Sequence, residues 1–570
     1  MIAREQVTTR TRGQSWSRMD WILIALLLLL CCFWIHRLMH WDFVPVEDAA
    51  ILLRYARNLA NGYGIRWNVG QHPIDGATDF LYMAAIAGIS RITGLGVIQA
   101  SRLLNLTAYI GSVLLVYVGS RRLFDANRWV SVGLAAYLIA CPGVQLARGC
   151  FGAPFFGAAL LSAWFMANLY VERRRSWDIA IAFALLSLIS GLVRPEGVIV
   201  TAAMLVAILY GTGKKDRSKV VVSYLVVFAV LGGGYFIWHW RYFGYPLPNP
   251  YYVKGRGHLH WDGLLFSCKE IGEMLAPVIP LIPFGWSSPR CRNRTVRMLL
   301  VAVPYALMWV LLETANDFAG RFQYPVLALV LLMLPGIWED MPAVFHLKDW
   351  RSYSLTSRRT IALCSVLGVL VSMGYIDGRF HSVDSAFGMR PFARKLEPYA
   401  DRGYTMAITE AGTLPFYSRW NAIDLFALND AVIAHSENGR LPRGYLDQVR
   451  PALVMYHAWG SVPESIYDQI LTGGPPDPGM QTGRLSFIQA QVATLQLVSQ
   501  YVHSHDYILA AAYGSDPCNL HLYWVRADLP DADDLVRVIR ETPYYFLDNG
   551  KLAADFRNNL LPSGDCRLNR

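Results

Sequence analysis

Long runs of apolar residues recur through the first two-thirds of the chain, separated by short polar segments. A helix needs about 20 residues to cross the hydrocarbon core of a bilayer. Roughly eleven runs approach that length and predict membrane-spanning helices, near 20–38, 100–119, 129–146, 155–171, 177–193, 197–211, 219–239, 273–287, 297–313, 321–337 and 359–376. The first run follows a basic start and precedes no small-residue cleavage site, so we expect a retained span and not a signal peptide.

A further apolar stretch at 77–95 leaves the topology open until charge is considered. Loops rich in Lys and Arg usually face the cytoplasm. The basic loops at 121–128, 173–175 and 214–219 all face inside only if 77–95 lies along the membrane surface. The charge pattern therefore predicts eleven spans with a juxtamembrane 77–95 segment, a cytoplasmic N-terminus and an extracytoplasmic C-terminus.

This topology places six segments on the outer face of the membrane. They are 39–99, 147–154, 193–197, 240–272, 313–321 and the tail from about 377. The tail alternates short apolar runs with Gly, Pro and acidic residues, which is typical of a small folded α/β domain. The predicted organisation is an all-α transmembrane domain, 1–376, whose first outer loop is 39–99, followed by an extracytoplasmic α/β domain, 377–570.

Composition supports a membrane protein. The chain has 570 residues, of which 54% are hydrophobic and only 16% are charged, and its mean hydropathy is +0.29. The net charge of +10 is attributed to the cytoplasmic loops, so no nucleic-acid partner is predicted.

The nine cysteines show no spacing typical of a zinc site. Cys518 and Cys566 lie in the polar tail and are candidates for a disulfide.

The first outer loop carries two adjacent carboxylates, Glu47 and Asp48, directly before a helical pattern at Ala49–Ala60. Acidic residues at a helix start often cap its free amides. A carboxylate at the water–lipid boundary can also accept the proton of a hydroxyl that attacks a sugar. Both interpretations stay open for this pair.

Basic residues also lie on the outer face, against the usual inward bias of a membrane protein. Long basic side chains near helix ends often extend to the membrane interface without any further function. Several basic side chains close together can also stabilise the negative charge of a leaving lipid phosphate. The candidates are Arg194, Arg241, Lys254 and Arg321.

The sequence specifies no metal site. Glu47, Asp48 and Asp317 offer oxygen ligands that a hard divalent cation accepts, but no spacing requires one. The predicted cations are sufficient to neutralise one phosphate without a metal. The sequence therefore requires no cofactor, and a divalent cation at these carboxylates stays an open alternative.

These motifs resemble those of the GT-C glycosyltransferases, in particular the bacterial arabinofuranosyltransferases of the mycobacterial terminal type and of the type IV pilin type. The resemblance runs in order from about residue 45 to 430. Glu47 stands where the family usually has Asp, and Gly152-Ala153 stands where relatives often carry Glu. The matching segments are Glu47-Asp48, Arg54–Asn58, Gly62, Gly64, Trp67-Asn68, Gly76–Leu81, Arg194–Gly197, Tyr245–Lys254, Asp317, Gly320–Phe322, Thr409–Ser418 and Ile423–Asp430.

The resemblance implies transfer of a sugar, arabinofuranose by first preference, from a polyprenyl-phosphate donor. The acceptor would be a cell-surface glycan or a pilin, at the periplasmic face of a bacterial inner membrane. Glu47 or Asp48 would be the catalytic base. The implied contacts to the donor phosphate or sugar are Arg54, Arg194, Arg241, Asn249, Tyr252, Lys254, Asp317 and Arg321.

Two other functions compete with this interpretation. A lipid-linked-sugar flippase or transporter usually shows internal repeats and polar sites near the bilayer midplane, and neither pattern is evident in the sequence. A non-catalytic GT-C-like protein, linked to cell-surface or flagellar function, would not need the carboxylate pair for activity.

Overall fold

A computed structural model describes residues 16–254, 259–311, 320–338, 389–459, 469–478, 487–516, 519–544 and 554–555. Several predictions lie outside these residues. They are the span at 359–376, the donor-site role of Asp317, and the disulfide between Cys518 and Cys566.

Five helices in the described part of the chain are long and apolar enough to cross a membrane. Three of them are uninterrupted α-helices: α1 (Arg18–Leu38), α4 (Val97–Phe124) and α7 (Ala153–Glu172). The other two are α10 (Lys214–Phe243), which contains one π-helical turn at Phe228–Gly232, and α13 (Pro289–Leu307), which a 3₁₀ turn extends to Leu311.

Shorter helices fill the spaces between these long ones. Five of them in the described part of the chain are apolar: α3 (Phe80–Thr93), α5 (Arg128–Ala140), α8 (Trp177–Val193), α9 (Glu196–Gly211) and α14 (Tyr324–Ile337). Every residue of α14 is buried, so this helix lies at the centre of the bundle. Together these helices indicate a multi-pass membrane protein. The remaining short helices are α6 (Gly143–Arg148), α11 (Asn249–Lys254) and α12 (Trp261–Leu275).

Two predicted spans are interrupted by proline. The run 129–146 is not one helix, because α5 ends before Pro142, which has no N–H to donate, and α6 begins after it. The run 273–287 is also not a continuous helix. α12 ends at Leu275, and a 3₁₀ segment follows at Ile279–Trp286 with Pro283 inside it.

The predicted first outer loop, 39–99, forms two helices, α2 (Glu47–Ala60) and α3 (Phe80–Thr93). α3 has 14 residues, which cover about 21 Å at 1.5 Å per residue. This is shorter than the ~30 Å hydrocarbon core. The juxtamembrane placement of 77–95 and the number of spans stay predictions.

The tail folds around a six-stranded mixed sheet in the order β2-β1-β3-β5-β4-β6. β1 pairs in parallel with β2 and β3, whereas β5 pairs antiparallel with β3 and β4. The apolar runs that suggested a folded tail lie in β3, β4 and β5. The strands are β1 (Thr405–Ile408), β2 (Asn421–Asp424), β3 (Leu453–Trp459), β4 (Tyr507–Asp516), β5 (Asn519–Arg526) and β6 (Ala554–Asp555).

Helices accompany this sheet and make the tail an α/β region. They are α15 (Met389–Leu396), α16 (Thr413–Ser418), α17 (Ala431–Ala434), α18 (Tyr445–Val449), α19 (Phe487–Ser504) and α20 (Ala532–Arg540). α16 follows β1 and packs against α2 of the first outer loop. The tail therefore sits on the first outer loop, and the boundary at residues 376 and 377 stays a prediction.

Candidate active site

Glu47 and Asp48 open α2, but neither caps it. The residue at the N-cap position is Val46, which provides no side-chain hydrogen bond. The two carboxylates instead bind separate partners, because successive side chains of a helix point about 100° apart. Neither carboxylate therefore caps α2 by a hydrogen bond, although both lie in its first turn, where the helix dipole favours negative charge.

Glu47 points to the tail. Its Oε1 accepts hydrogen bonds from the backbone N–H groups of Gly412 (2.5 Å) and Thr413 (3.0 Å), and its Oε2 accepts from Thr413 at 3.0 Å. A Cβ added to Gly412 would lie 2.0 Å from the backbone oxygen of Glu47. Only glycine at this position permits so close an approach between the tail and α2.

The pKa of Glu47 is raised to about 7. Burial is the main cause, and the nearby Glu410 carboxylate adds to it, while the amides of Gly412 and Thr413 act in the opposite direction. Glu47 therefore changes its ionisation state near neutral pH, at the junction between the first outer loop and the tail.

Asp48 points to the cations. Its Oδ2 accepts a hydrogen bond of 2.6 Å from Nη2 of Arg321, and half of the Asp48 side chain is exposed. The Arg321 guanidinium is largely buried and lies over the rings of Phe151 (4.6 Å) and Phe322 (4.7 Å). A planar cation held between aromatic rings keeps a defined orientation toward the carboxylate.

Lys254 completes this arrangement from the end of α11. The surrounding protein partly desolvates the Asp48 carboxylate and so raises its pKa, although half of the side chain is exposed; the charges of Arg321 and Lys254 outweigh this effect, and the net pKa lies below its usual value. Burial lowers the pKa of Lys254, and the neighbouring cations Arg321 and Arg194 lower it further, against Asp48. Asp48 is therefore ionised at neutral pH beside a group of cations.

Arg194 lies between α8 and α9 and is paired within the protein. Its Nη1 donates to Oδ1 (2.9 Å) and Oδ2 (3.2 Å) of Asp79, and its Nη2 donates to Oε1 of Glu196 at 3.1 Å. The guanidinium also lies 4.9 Å from the centre of the Phe322 ring. This stack places Arg194 beside the residue that follows Arg321.

Sequence reasoning missed Asp79 as a site residue. It directly precedes α3, within the Gly76–Leu81 segment that resembles the family motif. The net pKa of Asp79 is raised, because burial and the charge of Glu196 outweigh the opposite effect of Arg194 and Arg321. Its position in the motif was the available signal, but its partner is distant in the sequence.

Arg54 has a structural position. Its Nε donates to the Trp67 carbonyl (2.8 Å), Nη1 to the Pro415 carbonyl (2.7 Å), and Nη2 to Asn68 (2.9 Å) and to the Trp420 carbonyl (2.8 Å). Its guanidinium is buried and lies 4.4 Å from the centre of the Trp67 ring. All its nitrogens are used in contacts that join α2 to residues 67–68 and to the tail, so we do not assign Arg54 to binding of the sugar donor.

The segment before Lys254 supplies a further polar group. The backbone N–H of Asn249 donates to the Asp75 carbonyl at 2.9 Å, and Asp75 accepts a 2.7 Å hydrogen bond from His239. The Asn249 Nδ2 is buried and donates to no acceptor among the described residues. Tyr252 lies on the same short helix, with its ring 4.4 Å from that of His435 in the tail.

Arg241, in contrast, lies apart from the cluster. It is exposed near the end of α10, and no contact in the described part of the chain joins it to Asp48, Arg321 or Lys254. Of the predicted site residues, the structure therefore brings together Asp48, Arg321, Lys254 and Arg194. Asn249 is the first residue of α11, the helix that ends at Lys254. The structure directs Glu47 to the tail and leaves Arg241 outside.

Comparison with known proteins places this geometry in a wider context. A family model described as a domain of unknown function, DUF8728, matches residues 384–526, which include β1 to β5 of the tail. No protein of curated function matches the chain.

Solved structures give the clearest similarity. ArnT from Cupriavidus metallidurans bound to undecaprenyl phosphate superposes with a TM-score of 0.52 and 12% identity, covering 77% of this chain and 93% of ArnT. Apo ArnT gives 0.52 and 13%, covering 89% of this chain and 98% of ArnT. Arabinofuranosyltransferase AftD from Mycobacteria gives 0.48 and 13%, covering 90% of this chain and 42% of AftD. ArnT is a GT-C glycosyltransferase, and the chain described here has the GT-C fold.

Proposed function

We propose that this protein is a membrane glycosyltransferase that transfers a sugar from a polyprenyl-phosphate donor to an acceptor hydroxyl. The observation that carries the proposal is the contact between Asp48 and Arg321, with Lys254 and Arg194 close by. An ionised carboxylate can accept the proton of an attacking hydroxyl, and the cations beside it can stabilise a leaving phosphate.

The cations suit the lipid phosphate of the donor. ArnT, which shares the fold, has been crystallised with undecaprenyl phosphate. Arg321 presents a planar guanidinium that can bind two phosphate oxygens, and Lys254 supplies a compact charge. The buried Nδ2 of Asn249 offers a donor that no described protein group uses. We assign these three residues to the donor headgroup.

In the proposed reaction the acceptor oxygen attacks the anomeric carbon of the sugar. The bond between that carbon and the phosphate oxygen breaks, and the phosphate leaves with the electron pair. The hydroxyl proton passes to Asp48. The donor phosphate competes with Asp48 for Arg321 and adds a negative charge nearby, so donor binding raises the basicity of Asp48 when a base is needed.

Glu47 is assigned a positioning role. Both of its oxygens accept backbone N–H groups of the tail, which leaves Asp48 as the more accessible carboxylate. Arg194 holds Asp79 and orders the wall of the site. Asp317 lies outside the described residues, and its contact to the donor stays a prediction.

Arabinofuranose is the proposed sugar, on the strength of the sequence motifs that resemble arabinofuranosyltransferases. The proposed location is a bacterial inner membrane with the active site at the periplasmic face, where the tail binds a glycan or pilin acceptor. The tail rests on α2 directly beside Asp48, which supports a role in presenting the acceptor.

The test is transfer by the full-length protein purified in detergent. Radiolabelled polyprenyl-phosphate arabinofuranose is offered with glycan and pilin acceptors, beside a second polyprenyl-phosphate sugar. Wild type should transfer label, Asp48→Asn should transfer it at least about 100-fold more slowly, and Arg241→Gln should match wild type. Transfer from the second sugar alone would refute arabinofuranose. Consumption of neither donor would refute the enzyme and favour a flippase.

A further inference from the structure

A group of three potential metal ligands lies in the tail, apart from the Asp48 cluster. Glu410 follows the end of β1, His457 lies in β3, and His521 lies in β5. His457 and His521 are directly opposite each other in the antiparallel pairing of β3 with β5. Side chains opposite each other on one face of a sheet lie close together, so the backbone itself sets this juxtaposition.

The side chains converge. Nδ1 of His457 lies 3.0 Å from Oε1 of Glu410, and the two imidazole rings are 4.6 Å apart at an angle of 74°. One ligand atom from each of the three residues lies within 4.8 Å of the other two. Zinc bonds of about 2.0–2.1 Å bring tetrahedral ligand atoms to roughly 3.4 Å from one another, which small side-chain rotations supply.

The surroundings resemble those of a metal site in two respects. Nδ1 of His521 forms a 2.7 Å hydrogen bond with the Tyr544 hydroxyl, so a metal ion would be bound through Nε2. A metal-binding histidine almost always uses its other nitrogen in this way. His521 is buried, whereas the side chains of Glu410 and His457 are 25% and 18% exposed, so an ion can approach from solvent.

The geometry points to a divalent transition-metal site, of the Zn²⁺ class, formed by Glu410, His457 and His521. Two imidazoles and one carboxylate are a ligand set that Zn²⁺ accepts, with a further position open to water. Mg²⁺ and Ca²⁺ favour oxygen ligands throughout. This inference does not depend on the proposed glycosyl transfer.

The position of the site indicates its effect. Glu410 precedes by two residues the Gly412–Thr413 turn, whose amides bind Glu47. A bound ion would tie this turn to β3 and β5 and so order the surface on which α2 rests. The ion acts as a structural support of the junction between the tail and the first outer loop.

A second histidine–carboxylate pair in the tail provides a matched control. Nε2 of His505 lies 2.9 Å from Oδ1 of Asp447, and both side chains are about half exposed. This pair is not among the groups of three or more ligands in the described part of the chain. It therefore tests whether any histidine–carboxylate pair of this tail retains an ion.

The experiment measures metal bound to the full-length protein in detergent. Metal content is determined by elemental mass spectrometry on the protein as purified, and again after chelation, gel filtration and titration with Zn²⁺. Co²⁺ is used in parallel, because its visible absorption reports coordination by nitrogen and oxygen. Thermal unfolding with and without Zn²⁺ checks that each variant is folded.

Wild type and His505→Ala should bind one equivalent of Zn²⁺ and unfold at a higher temperature with it. His457→Ala should lose binding by at least tenfold and show no Zn²⁺-dependent shift. Tyr544→Phe, which keeps the ring, should weaken binding by roughly 10–100-fold. Wild type that retains no ion, or a folded His457→Ala that binds as wild type does, would overturn the site.

Discussion

Neutralising each of the two adjacent carboxylates is expected to change the kinetics of transfer in a different way. Asp48→Asn keeps the shape of the side chain and its contact with Arg321 but removes its ability to accept a proton. General base catalysis contributes about 10²–10⁴-fold to a rate, which corresponds to roughly 3–5 kcal/mol of activation free energy. We expect kcat to fall by that factor.

Glu47→Gln acts on the junction with the tail. The carboxylate accepts backbone N–H groups from Gly412 and Thr413, and hydrogen bonds to a charged group contribute about 1.5–3 kcal/mol each. Because the pKa of Glu47 is already raised to about 7, part of this charge is absent at neutral pH. We expect a higher acceptor KM, because the amide NH2 of Gln cannot accept a backbone N–H as the second carboxylate oxygen does, with kcat within about tenfold of wild type.

The assay is initial-rate transfer from polyprenyl-phosphate arabinofuranose at saturating and at limiting acceptor, with both variants checked by gel filtration and thermal unfolding. The comparison separates kcat from KM for each carboxylate. A folded Glu47→Gln protein without turnover, beside an Asp48→Asn protein with near-normal kcat, would refute the assignment of Asp48 as base and transfer that role to Glu47.

Four further outcomes follow from the contacts. Arg321→Gln should weaken binding of the polyprenyl-phosphate donor by at least tenfold, measured by titration, whereas unchanged affinity would remove it from the phosphate site. Asp79→Asn should cost about 3 kcal/mol in the free energy of unfolding, because Arg194 loses a buried partner; an unchanged denaturant midpoint would contradict this. Gly412→Ala should destabilise the junction by about 1–3 kcal/mol, since its Cβ meets backbone, and limited proteolysis of the tail should accelerate. Because the pKa of Glu47 rises on folding from 4.5 to about 7, its ionisation should remove roughly 3 kcal/mol of stability as pH increases through that range, and Glu47→Gln should abolish this part of the pH dependence.

Most of the local structure can be predicted from the amino-acid sequence alone. The apolar runs near 20–38, 100–119 and 155–171 each contain the core of a helix in the structure, because the helical hydrogen bonds of a membrane span are satisfied within the segment itself. The same reasoning failed where proline interrupts an apolar run, as at Pro142, since hydrophobicity alone does not report a missing N–H donor.

The sequence also determined the chemical character of the site. Asp48, Lys254 and Arg321 were selected because charges on the outer face need a reason to be there, and the structure brings these three together. The presence of a charge did not, however, show which of the candidate arginines lies in the site. Arg54 and Arg241 carry the same guanidinium as Arg321, yet one is saturated by carbonyls and the other lies apart.

The contacts of each charged group depend on tertiary packing and could not be predicted from the sequence. Arg54 binds the carbonyls of Pro415 and Trp420, more than 350 positions away, and no local pattern encodes a partner at that distance. Glu47 and Asp48 are neighbours in sequence but diverge around the helix, so one meets the amides of the tail and the other meets Arg321. The pKa and the role of a carboxylate follow from its surroundings, and the packing of the tail on α2 creates those surroundings.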